Sequence, residues 1–344
     1  MKKGTSRKKI LFLARLYHPH IGGVEKHLSI ISKYLYKKGH QVTIICEKHD
    51  KSLKNIETID GIRVIRIPIS HSERNKKFEI WKWILKNREL IDSFDVIHIH
   101  DVFFWILPLV FTVRRGHIYM TFHGYEGYPV RFGSKIQKKI ADMYSSGTIT
   151  IGDFINKWYG LKSDAVIYGG VFNIKTGSNR PKNPLSAIFF GRFEPLTGID
   201  QYYKAYKILK NRHKTFEFEA IGKGRYRDKL EDISITPFKS KITDQIQNSR
   251  FIFVSGYLSM LEAMIQKRLV IAVYNNPLKK DYLLDSPFRK YVDICSSGND
   301  IAEKIEFYIK NPKEEEKKID KAYLWAKEQT WEKVVDTYIN LWQI

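Results

Sequence analysis

Residues 17–27 read YHPHIGGVEKH, and this stretch decides the fold of the first half of the chain. It follows a continuous apolar run, Lys9 to Arg15, which predicts a buried strand. It precedes Val24 to Lys38, where apolar residues recur at helical spacing, and Gly39 is expected to end that helix as its C′ residue. Gln41 to Cys46 then resumes a β-rich run. The predicted unit is strand, glycine turn, helix and strand.

Gly22 and Gly23 determine what this turn could bind. Adjacent glycines let a backbone approach a ligand closely, and the helix behind them directs its positive dipole end and free N–H groups toward that ligand. The arrangement suits a phosphate or a sugar hydroxyl. From the two glycines alone, an ordinary tight βα turn is an equally good interpretation, and the G-x-G-x-x-G spacing of a dinucleotide fingerprint is missing.

The composition describes a folded and strongly basic protein. A length of 344 residues predicts about two domains, and 43% hydrophobic residues exclude global disorder. The formal net charge of +22 attracts nucleic acid, anionic lipid or phosphorylated small molecules without choosing among them. Cys46 and Cys295 provide neither a disulfide framework nor a metal cluster, which fits a reducing cytoplasm. The longest apolar stretch, Val102 to Val113, is shorter than the ~20 residues that span a bilayer.

Strand-like and helix-like segments alternate along both halves of the chain, which predicts parallel sheets with helices on both faces. The predicted strands after the first two are Ile62–Ile67, Asp95–His98, His117–Phe122, Gly147–Ile151, Ala165–Tyr168, Ala187–Phe190, Phe216–Ile221, Phe251–Val254, Leu269–Val273 and Tyr291–Cys295. The predicted helices are Lys76–Ile91, Phe103–Arg114, Ser134–Tyr144, Ile199–Arg212, Ser259–Gln266 and Ile301–Lys310.

The alternation breaks at a polar stretch with two prolines and a glycine, which is the best linker candidate. The predicted division is a first Rossmann-like domain over 1–172, a linker over 173–185, a second Rossmann-like domain over 186–325 and a tail over 326–344. Pro312 to Ile344 has an almost entirely helical pattern, and its last helices have an apolar face that needs a docking surface, formed by Trp325, Trp331, Tyr338 and Trp342. Two open α/β sheets place their ligand crevices at the carboxyl ends of the strands, facing each other across a cleft.

In the second half, Arg192 follows a predicted strand end. A guanidinium at that position could bind a diphosphate bidentately, and the alternative is a structural pairing with Glu194 or Glu219. Residues 254–264 repeat the pattern of strand, glycine turn and helix. Their backbone offers an anion site, and Glu262 could accept ribose hydroxyls. On spacing alone, however, Glu262 better fits a capping box with Ser259, at which the helix is expected to begin.

His123 follows the predicted strand that ends at Phe122. A histidine at the carboxyl end of a strand can donate to a substrate oxygen near neutral pH, although a lone histidine is more often structural. His98 and His100 face the same way by the period of two along their strand. The sequence offers no third ligand that would make these residues a metal site.

Together these motifs resemble glycosyltransferase family 4, the retaining nucleotide-sugar transferases of GT-B architecture. The resemblance runs nearly the whole chain, through Pro19-x-x-Gly22-Gly23-x-Glu25, Gly39-His40-x-Val42, Asp95-Val-Ile-His-x-His100, Thr121-x-His123-Gly124, Ile167-Tyr-Gly-Gly170-Val171, Gly191-Arg192 with Gly198, Gly222-x-Gly224 and Leu261-Glu262-Ala263-Met264. It implies two Rossmann-like domains, with C-terminal helices crossing back to the first.

The resemblance also implies a role for each matching residue. His123 would contact the sugar near the reacting centre. The donor would be bound by Gly22 and Gly23 at its diphosphate or sugar, by Arg192 and the backbone of Tyr257, Leu258 and Ser259 at its phosphates, by Glu262 at its ribose, and by Gly222 and Gly224 near its base. No metal and no cofactor are expected, because cationic side chains and helix N-termini take the charge of the leaving diphosphate.

Two positions and one loop depart from the family pattern. Thr197 stands where members usually carry a lysine for the diphosphate, and Val254 stands where they carry a glutamate for the transferred sugar. The loop from Ser255 to Glu262 is also short. Each lost interaction is worth ~1.5–3 kcal/mol if charge-assisted. Lys223 or Arg225 could replace the lysine, and no substitute for the glutamate is apparent.

Glu73 to Asp92 combines basic residues with tryptophans at helical spacing, as an interfacial helix does. An anionic membrane surface is therefore a candidate partner, and a helix packed on the sheet with solvated lysines is a slightly better interpretation. The expected location is cytoplasmic, with peripheral association at the inner face of the cell membrane as an option.

The predicted function is sugar transfer, with retention, from a nucleotide diphosphate donor to a glycan or lipid-linked acceptor, as in cell envelope polysaccharide synthesis. A degenerate relative that acts as a non-catalytic binding or scaffold subunit is the alternative. A nucleic-acid binder is disfavoured because no such module is recognisable. A nucleotide-sugar epimerase is disfavoured by the Gly-Gly and Leu-Glu-Ala-Met arrangement.

Overall fold

Contacts within the chain divide it into two units. The computed structural model describes residues 7–70, 73–109, 117–172, 181, 183–238 and 242–344. One unit is Met1–Ile167 together with Trp331–Ile344, and the other is Tyr168–Thr330. Most of the predicted linker, 173–180 and 182, lies outside the described residues.

The described residues of the first unit form an eight-stranded sheet in the order β3-β4-β2-β1-β5-β6-β7-β8. Seven strands are parallel, and β3 pairs antiparallel with β4. The central strands are buried on both faces, which explains their continuous apolar sequences. The strands are β1 Lys9–Ala14, β2 Gln41–Glu47, β3 Ile56–Ile59, β4 Ile62–Ile67, β5 Val96–His100, β6 Ile118–Phe122, β7 Gly147–Ile151 and β8 Ala165–Ile167.

The helices of this unit are α1 Gly23–Lys37, α2 Glu73–Lys86, α3 Arg88–Asp92, α4 Phe132–Tyr144 and α5 Phe154–Tyr159. The single helix predicted over Lys76–Ile91 is wrong, because the helix is interrupted at Asn87, which lies between α2 and α3. The Asn87 side chain donates to Trp83 O. The segment Phe103–Leu109 is a 3₁₀-helix with Pro108 inside, and the rest of the predicted helix lies outside the described residues. Gly39 follows α1 with φ +95°, as its predicted C′ role requires.

The described residues of the second unit form a six-stranded parallel sheet in the order β11-β10-β9-β12-β13-β14. The strands are β9 Ser186–Phe190, β10 Glu217–Ile221, β11 Ser234–Thr236, β12 Phe251–Phe253, β13 Leu269–Val273 and β14 Asp293–Cys295. The helices are α6 Ile199–Arg212, α7 Thr243–Asn248, α8 Tyr257–Met264, α9 Pro277–Leu284, α10 Gly298–Lys310 and α11 Pro312–Lys327. The predicted α/β class with two parallel sheets is confirmed.

The last helix, α12 (Trp331–Trp342), belongs to the first unit. Its apolar face buries Trp331, Tyr338 and Trp342 against α1 and the sheet. Trp325 does not share this face. It lies on α11 in the second unit, where its ring stacks on Tyr291 with centroids 4.8 Å apart.

Candidate functional site

Gly22 and Gly23 lie where β1 leads into α1. Gly22 is the N-cap of the helix in an extended conformation, and a side chain at Gly23 would meet open space. The N–H groups of Gly23 and Val24 donate to no described residue, so the first turn can accept a ligand atom. The predicted ligand-facing turn therefore has the necessary geometry.

Glu25 restricts what this turn can bind. Its carboxylate folds back over Gly22 and pairs with the ring of His20, with Nδ1 and Oε1 3.0 Å apart. A carboxylate beside the first turn repels a phosphate and accepts a hydrogen bond from a hydroxyl. Of the two ligands that the sequence allows here, the geometry favours the sugar hydroxyl.

His123 lies at the carboxyl end of β6, partly buried, next to α1 and β5. Its Nε2 is 2.7 Å from Nδ1 of His100, and its backbone N–H donates to Asp101 Oδ1 at 3.0 Å. Its ring meets that of His27, on the second turn of α1, edge to face at 5.1 Å. The structure thus brings His123 close to the helix that begins at Gly23.

The proton between His100 and His123 has one favoured position. His100 is buried, and its Nε2 has no hydrogen-bond partner among the described residues. A bare acceptor at that atom costs less than an orphaned N–H. Neutral His100 therefore carries its proton on Nδ1 and donates to His123, which leaves the Nδ1–H of neutral His123 as a donor for another molecule.

A second chain of hydrogen bonds connects α12 to α1. Trp342 Nε1 donates to His98 Nδ1 at 2.9 Å, and because indole can only donate, neutral His98 carries its proton on Nε2. His98 then donates to Thr121 Oγ1 at 2.7 Å. The Thr121 hydroxyl is 3.0 Å from Tyr338 Oη, which is 3.0 Å from His27 Nε2. With each hydroxyl donating onward, His27 accepts and holds its own proton on Nδ1.

The four histidines are neutral near pH 7. Burial, together with neighbouring histidines, lowers the pKa values of His27, His98 and His100 well below their usual range. Burial and the nearby Lys138 lower the pKa of His123 to about 3. His123 is therefore suited to hydrogen bonding with a substrate oxygen and not to general acid catalysis at neutral pH.

Charged groups surround the position of His123. The Lys138 ammonium, buried on α4, lies 3.0 Å from Glu126 Oε1 and 4.0 Å from Asp101 Oδ1. The Tyr159 hydroxyl donates to Glu126 Oε2 at 2.6 Å. This pairing fixes the loop that follows His123. It also supplies carboxylate oxygens that can accept hydrogen bonds from hydroxyl groups.

In the second unit, Arg192 follows β9 as predicted. Its guanidinium makes no hydrogen bond or ion pair with any residue that the structure describes. The alternative structural pairings with Glu194 or Glu219 are therefore not formed. Glu194 pairs instead with Arg225 at 2.7 Å, and Glu219 accepts from Thr236 Oγ1. Arg225, a candidate replacement for the family lysine that is missing at position 197, is therefore already paired with Glu194. The Thr197 hydroxyl lies 2.8 and 2.7 Å from the carbonyl oxygens of Arg192 and Glu194, within its own loop.

Gly222 and Gly224 hold the loop after β10 against the loop after β9. Both have positive φ values, +155° and +153°, and a side chain at either would strike the backbone of Gly191 or Phe193. These glycines have a structural reason to be glycine. Their predicted contact with a nucleotide base stays a prediction.

Helix α8 begins at Tyr257, with Gly256 as its N-cap. The capping box between Ser259 and Glu262 is therefore wrong, because Ser259 lies inside the helix. The Tyr257 N–H donates to Tyr282 Oη at 3.0 Å, so it is not available to a phosphate in this structure. The N–H groups of Leu258 and Ser259 donate to no described residue. Glu262 is half-buried on the same helix.

Two further observations limit the site chemistry. A cavity of about 490 Å³ opens at the amino ends of β9 and β10, away from Arg192 and Gly222, and is lined in part by Ser186, Glu217 and Tyr206. Within the described ranges, no group of three or more histidine, cysteine, aspartate or glutamate residues could hold a metal ion.

Sequence reasoning missed several residues that shape these sites. His27 carries no motif signal except its place one turn after Gly23. The polar atoms of Tyr338 and Trp342 could have been suspected, since buried tyrosine and tryptophan usually find hydrogen-bond partners. Lys138 gave no signal, because a lysine on an amphipathic helix normally faces solvent.

The chain is similar to known glycosyltransferases in sequence and in fold. Residues 21–171 match the family model described as Glycosyltransferase Family 4. A phosphatidyl-myo-inositol mannosyltransferase from Mycolicibacterium smegmatis is 24% identical over 221 residues, which are 59% of this chain and 56% of that relative. The match thus spans little more than half of the curated relative's length.

Solved structures resemble nearly the whole chain. A sucrose-phosphate synthase from Thermosynechococcus elongatus aligns with a TM-score of 0.77 at 14% identity and covers 98% of each chain. HepE from Anabaena, in complex with UDP and glucose, aligns with a TM-score of 0.69 at 15% identity and covers 97% of this chain and 98% of its own. These structures have the GT-B fold. Residues 21–171 therefore match glycosyltransferase family 4, and the fold of the chain is that of the GT-B glycosyltransferases.

Proposed function

We propose that this protein transfers a sugar from a nucleoside diphosphate sugar to a glycan or lipid-linked acceptor with retention of the anomeric configuration. The bond between the anomeric carbon and the diphosphate oxygen breaks, the acceptor oxygen bonds to that carbon, and the nucleoside diphosphate leaves. The observation that carries the proposal is the Arg192 guanidinium at the carboxyl end of β9, which pairs with no described residue, in a fold shared with HepE, which was solved with UDP and glucose.

The second unit is assigned the nucleotide. Arg192 would neutralise the diphosphate, and the free N–H groups of Leu258 and Ser259 would bind a phosphate oxygen. Glu262 would accept the ribose hydroxyls, and Gly222 with Gly224 would lie near the base. Side-chain and helix charges stabilise the leaving diphosphate in this assignment.

The first unit is assigned the sugar. The neutral His123 ring offers an Nδ1–H to a sugar oxygen, and the Gly22-Gly23 turn with Glu25 accepts hydroxyls. Because Val254 leaves the second unit without the usual sugar carboxylate, Glu25, Asp101 and Glu126 are the carboxylates of the first unit that could bind hydroxyls instead.

A donor panel tests the activity. UDP-, GDP- and ADP-sugars are incubated with the protein, and nucleoside diphosphate release is measured with and without acceptor glycans. Arg192→Ala should reduce kcat/KM about 10- to 100-fold, because a charge-assisted contact is lost. His123→Ala should also reduce it, and Arg212→Ala, at the far end of α6, is the matched control.

Binding of a nucleotide without release or transfer, in every donor tested, would support a non-catalytic subunit instead. Activity that is undiminished in both Arg192→Ala and His123→Ala would refute the site assignment. The anomeric configuration of the product, read by NMR, tests retention separately.

The membrane partner is proposed at the surface of α2, the 3₁₀-helix and α4. Phe78 and Leu85 on α2 and Phe104 on the 3₁₀-helix are exposed, and Trp81 Nε1 donates to Phe104 O. On α4 a continuous stripe at helical spacing is exposed: Phe132 (77%), Ile136, Ile140 and Met143 (81%). Exposed lysines at 77, 82, 86 and 139 border these residues.

Apolar side chains beside lysines fit an anionic lipid surface, where the former enter the interface and the latter meet the headgroups. No helix among the described residues is long and apolar enough to cross a bilayer. Co-sedimentation with phosphatidylglycerol-containing vesicles should show salt-sensitive binding that is lost in a Phe132→Ser/Met143→Ser double variant. The control is Phe307→Ser/Leu324→Ser, which changes two exposed apolar residues elsewhere. Equal binding by both double variants would dismiss this surface.

A further inference from the structure

Lys279 is a buried cation in the second unit. It lies in the first turn of α9, where its backbone N–H is capped by the Asn276 side chain at 2.8 Å, and it is only 3% exposed. Its ammonium group donates to the carbonyl oxygen of Ser255 and lies 3.7 Å from the centre of the Tyr282 ring. No carboxylate among the described residues pairs with it, and its other two N–H bonds reach no described acceptor.

A buried ammonium group in this state is energetically costly. Removing a charge from water is unfavourable unless an opposite charge and hydrogen bonds compensate for it, and one carbonyl and one aromatic ring compensate only in part. Burial lowers the pKa of Lys279 to about 7, and no neighbouring charge contributes to that shift. An anion that enters beside the ammonium group would supply the missing compensation.

The surroundings of Lys279 show where that anion would lie. Ser255 belongs to the loop between β12 and α8, directly before the Gly256 cap and the free N–H groups of Leu258 and Ser259. Tyr282, which contacts the ammonium group, also holds the start of α8 through the Tyr257 N–H.

The turn before α9 also reaches the arginine loop. Asn275 Nδ2 donates to Pro195 O at 2.5 Å, in the loop that carries Arg192 and Thr197. The turn that leads into Lys279 thus touches both segments to which phosphate contacts are assigned. Within that loop the Thr197 hydroxyl is already bound to carbonyl oxygens and brings no charge.

We propose that Lys279 is a binding residue for the diphosphate of the donor nucleotide and supplies, from α9, a positive charge that the Arg192 loop lacks at Thr197. This inference rests on the proposed function, since it assigns a further residue to the same nucleotide. The ammonium group shifts from Ser255 O toward a phosphate oxygen, and Leu258 and Ser259 donate to the same group.

The test compares Lys279→Met with Lys280→Met, an exposed lysine one position along the same helix. UDP, GDP and ADP are titrated by calorimetry. The nucleoside of each diphosphate that binds is then titrated in the same way. Lys279→Met should weaken diphosphate binding about 10- to 100-fold and nucleoside binding less than about twofold. Lys280→Met should change neither. The unfolding midpoint of ligand-free Lys279→Met should be equal to or above that of the wild type, because an uncompensated charge is removed.

Proton uptake on diphosphate binding is a second measurement, and it should not depend on Lys279 if that residue has a purely structural role. Binding of an anion favours protonated Lys279, so the wild type should take up a fraction of a proton when the diphosphate binds near pH 7.5, as measured in buffers of different ionisation enthalpy. A titratable side chain that contacts the Lys279 ammonium group is Tyr282, whose ring stacks on that of Tyr257. Uptake should shrink in Lys279→Met and persist in Lys280→Met.

The outcomes separate the two proposals. If the wild type binds a diphosphate and Lys279→Met binds it equally well, or loses diphosphate and nucleoside affinity to the same extent, the role of Lys279 is overturned and the proposed function stands. If the wild type binds none of the three diphosphates, both are overturned.

Discussion

At the scale of single residues, the first unit depends on which nitrogen of each histidine carries the proton. Trp342 can only donate, so it selects the tautomer of His98, and the chain through Thr121 and Tyr338 carries that choice to His27. The result is a set of neutral rings in which His123 presents a donor outward. Protonation of His27, His98 or His123 would turn the nitrogen that now accepts a hydrogen bond into a donor that faces another donor.

Tyr338→Phe tests this chain most directly. The substitution removes one hydroxyl and leaves His27 Nε2 and the Thr121 hydroxyl without their partner in a buried position. We expect a loss of about 1–3 kcal/mol in the free energy of unfolding of the first unit, measured by urea denaturation. Tyr36→Phe, at an exposed tyrosine on α1, should change the stability by less than about 0.5 kcal/mol.

Stability should also fall in mild acid. The pKa values of His27, His98 and His100 lie well below 6.5 in the folded protein, and that of His123 is about 3, so the unfolded chain binds more protons than the folded chain between those values. The contribution of neutral histidines is complete above about pH 6.5 and is lost as the pH falls below it. Each contributes a slope of up to about 1.4 kcal/mol per pH unit.

Urea unfolding between about pH 7.5 and 5 would measure that slope. His98→Gln should reduce it by up to one proton, because it removes one of the buried neutral rings. A flat profile in the wild type would contradict the neutral cluster.

At the scale of elements, α12 completes the first unit by placing its polar atoms on the sheet. Burial of Trp331, Tyr338 and Trp342 provides the apolar contact, and the indole N–H and the phenol oxygen determine the register of the helix on β5 and β6. A helix held by apolar contact alone could slide. The hydrogen bonds to His98 and Thr121 permit one position.

Trp342→Phe should show this effect. The ring is largely kept, but His98 Nδ1 loses its donor, and we expect a cost of about 1–3 kcal/mol together with a mixed tautomer at His98. Nitrogen-15 NMR of the imidazole rings should report the proton on Nε2 of His98 in the wild type and on both nitrogens in the variant. Trp325→Phe, in the second unit, controls for ring size. An unchanged His98 signal would mean that Thr121 alone selects the tautomer.

Much of the fold could be predicted because buried parallel strands have continuous apolar sequences. Ile62–Ile67, Gly147–Ile151 and Leu269–Val273 lie where they were predicted, residue for residue. The short elements β3, α7 and α9 were not predicted, since four to eight residues with mixed polarity have no clear period.

The site was harder to predict than the fold because its contacts are distant in sequence. Gly22, His123 and Arg192 could be singled out because they follow strand ends. The pairing of His27 with Tyr338 joins residues 311 positions apart, and no local pattern reports it. Lys279 resembled a solvated lysine at a helix start, and only its burial distinguishes it from Lys280.

At the scale of the whole molecule, the chain consists of two units that carry different parts of the proposed chemistry. Tyr168–Thr330 carries the groups assigned to the nucleotide, and the first unit carries His123. A nucleotide alone should therefore act on one unit more than on the other.

Hydrogen exchange with a saturating nucleoside diphosphate tests this division. A ligand at 100 times its Kd stabilises the state that binds it by about 2.7 kcal/mol, so amides of β9, β12, α8 and α9 should exchange more slowly. Amides of β1, β5 and β6 should change little. Protection that is confined to the first unit would reverse the assignment of the nucleotide.

The hydrogen bonds between α12 and β5 also have a consequence for biosynthesis. A ribosome delivers β1 to β8 first, yet the helix that caps their polar face arrives only after Tyr168–Thr330 has been made. The first unit leaves the exit tunnel with His98 and Thr121 uncovered, and the second unit can complete its fold earlier. The second unit can therefore finish folding before the first unit, although the first unit is synthesised earlier. A stalled chain that ends before Trp331 should need chaperone protection for its amino-terminal sheet.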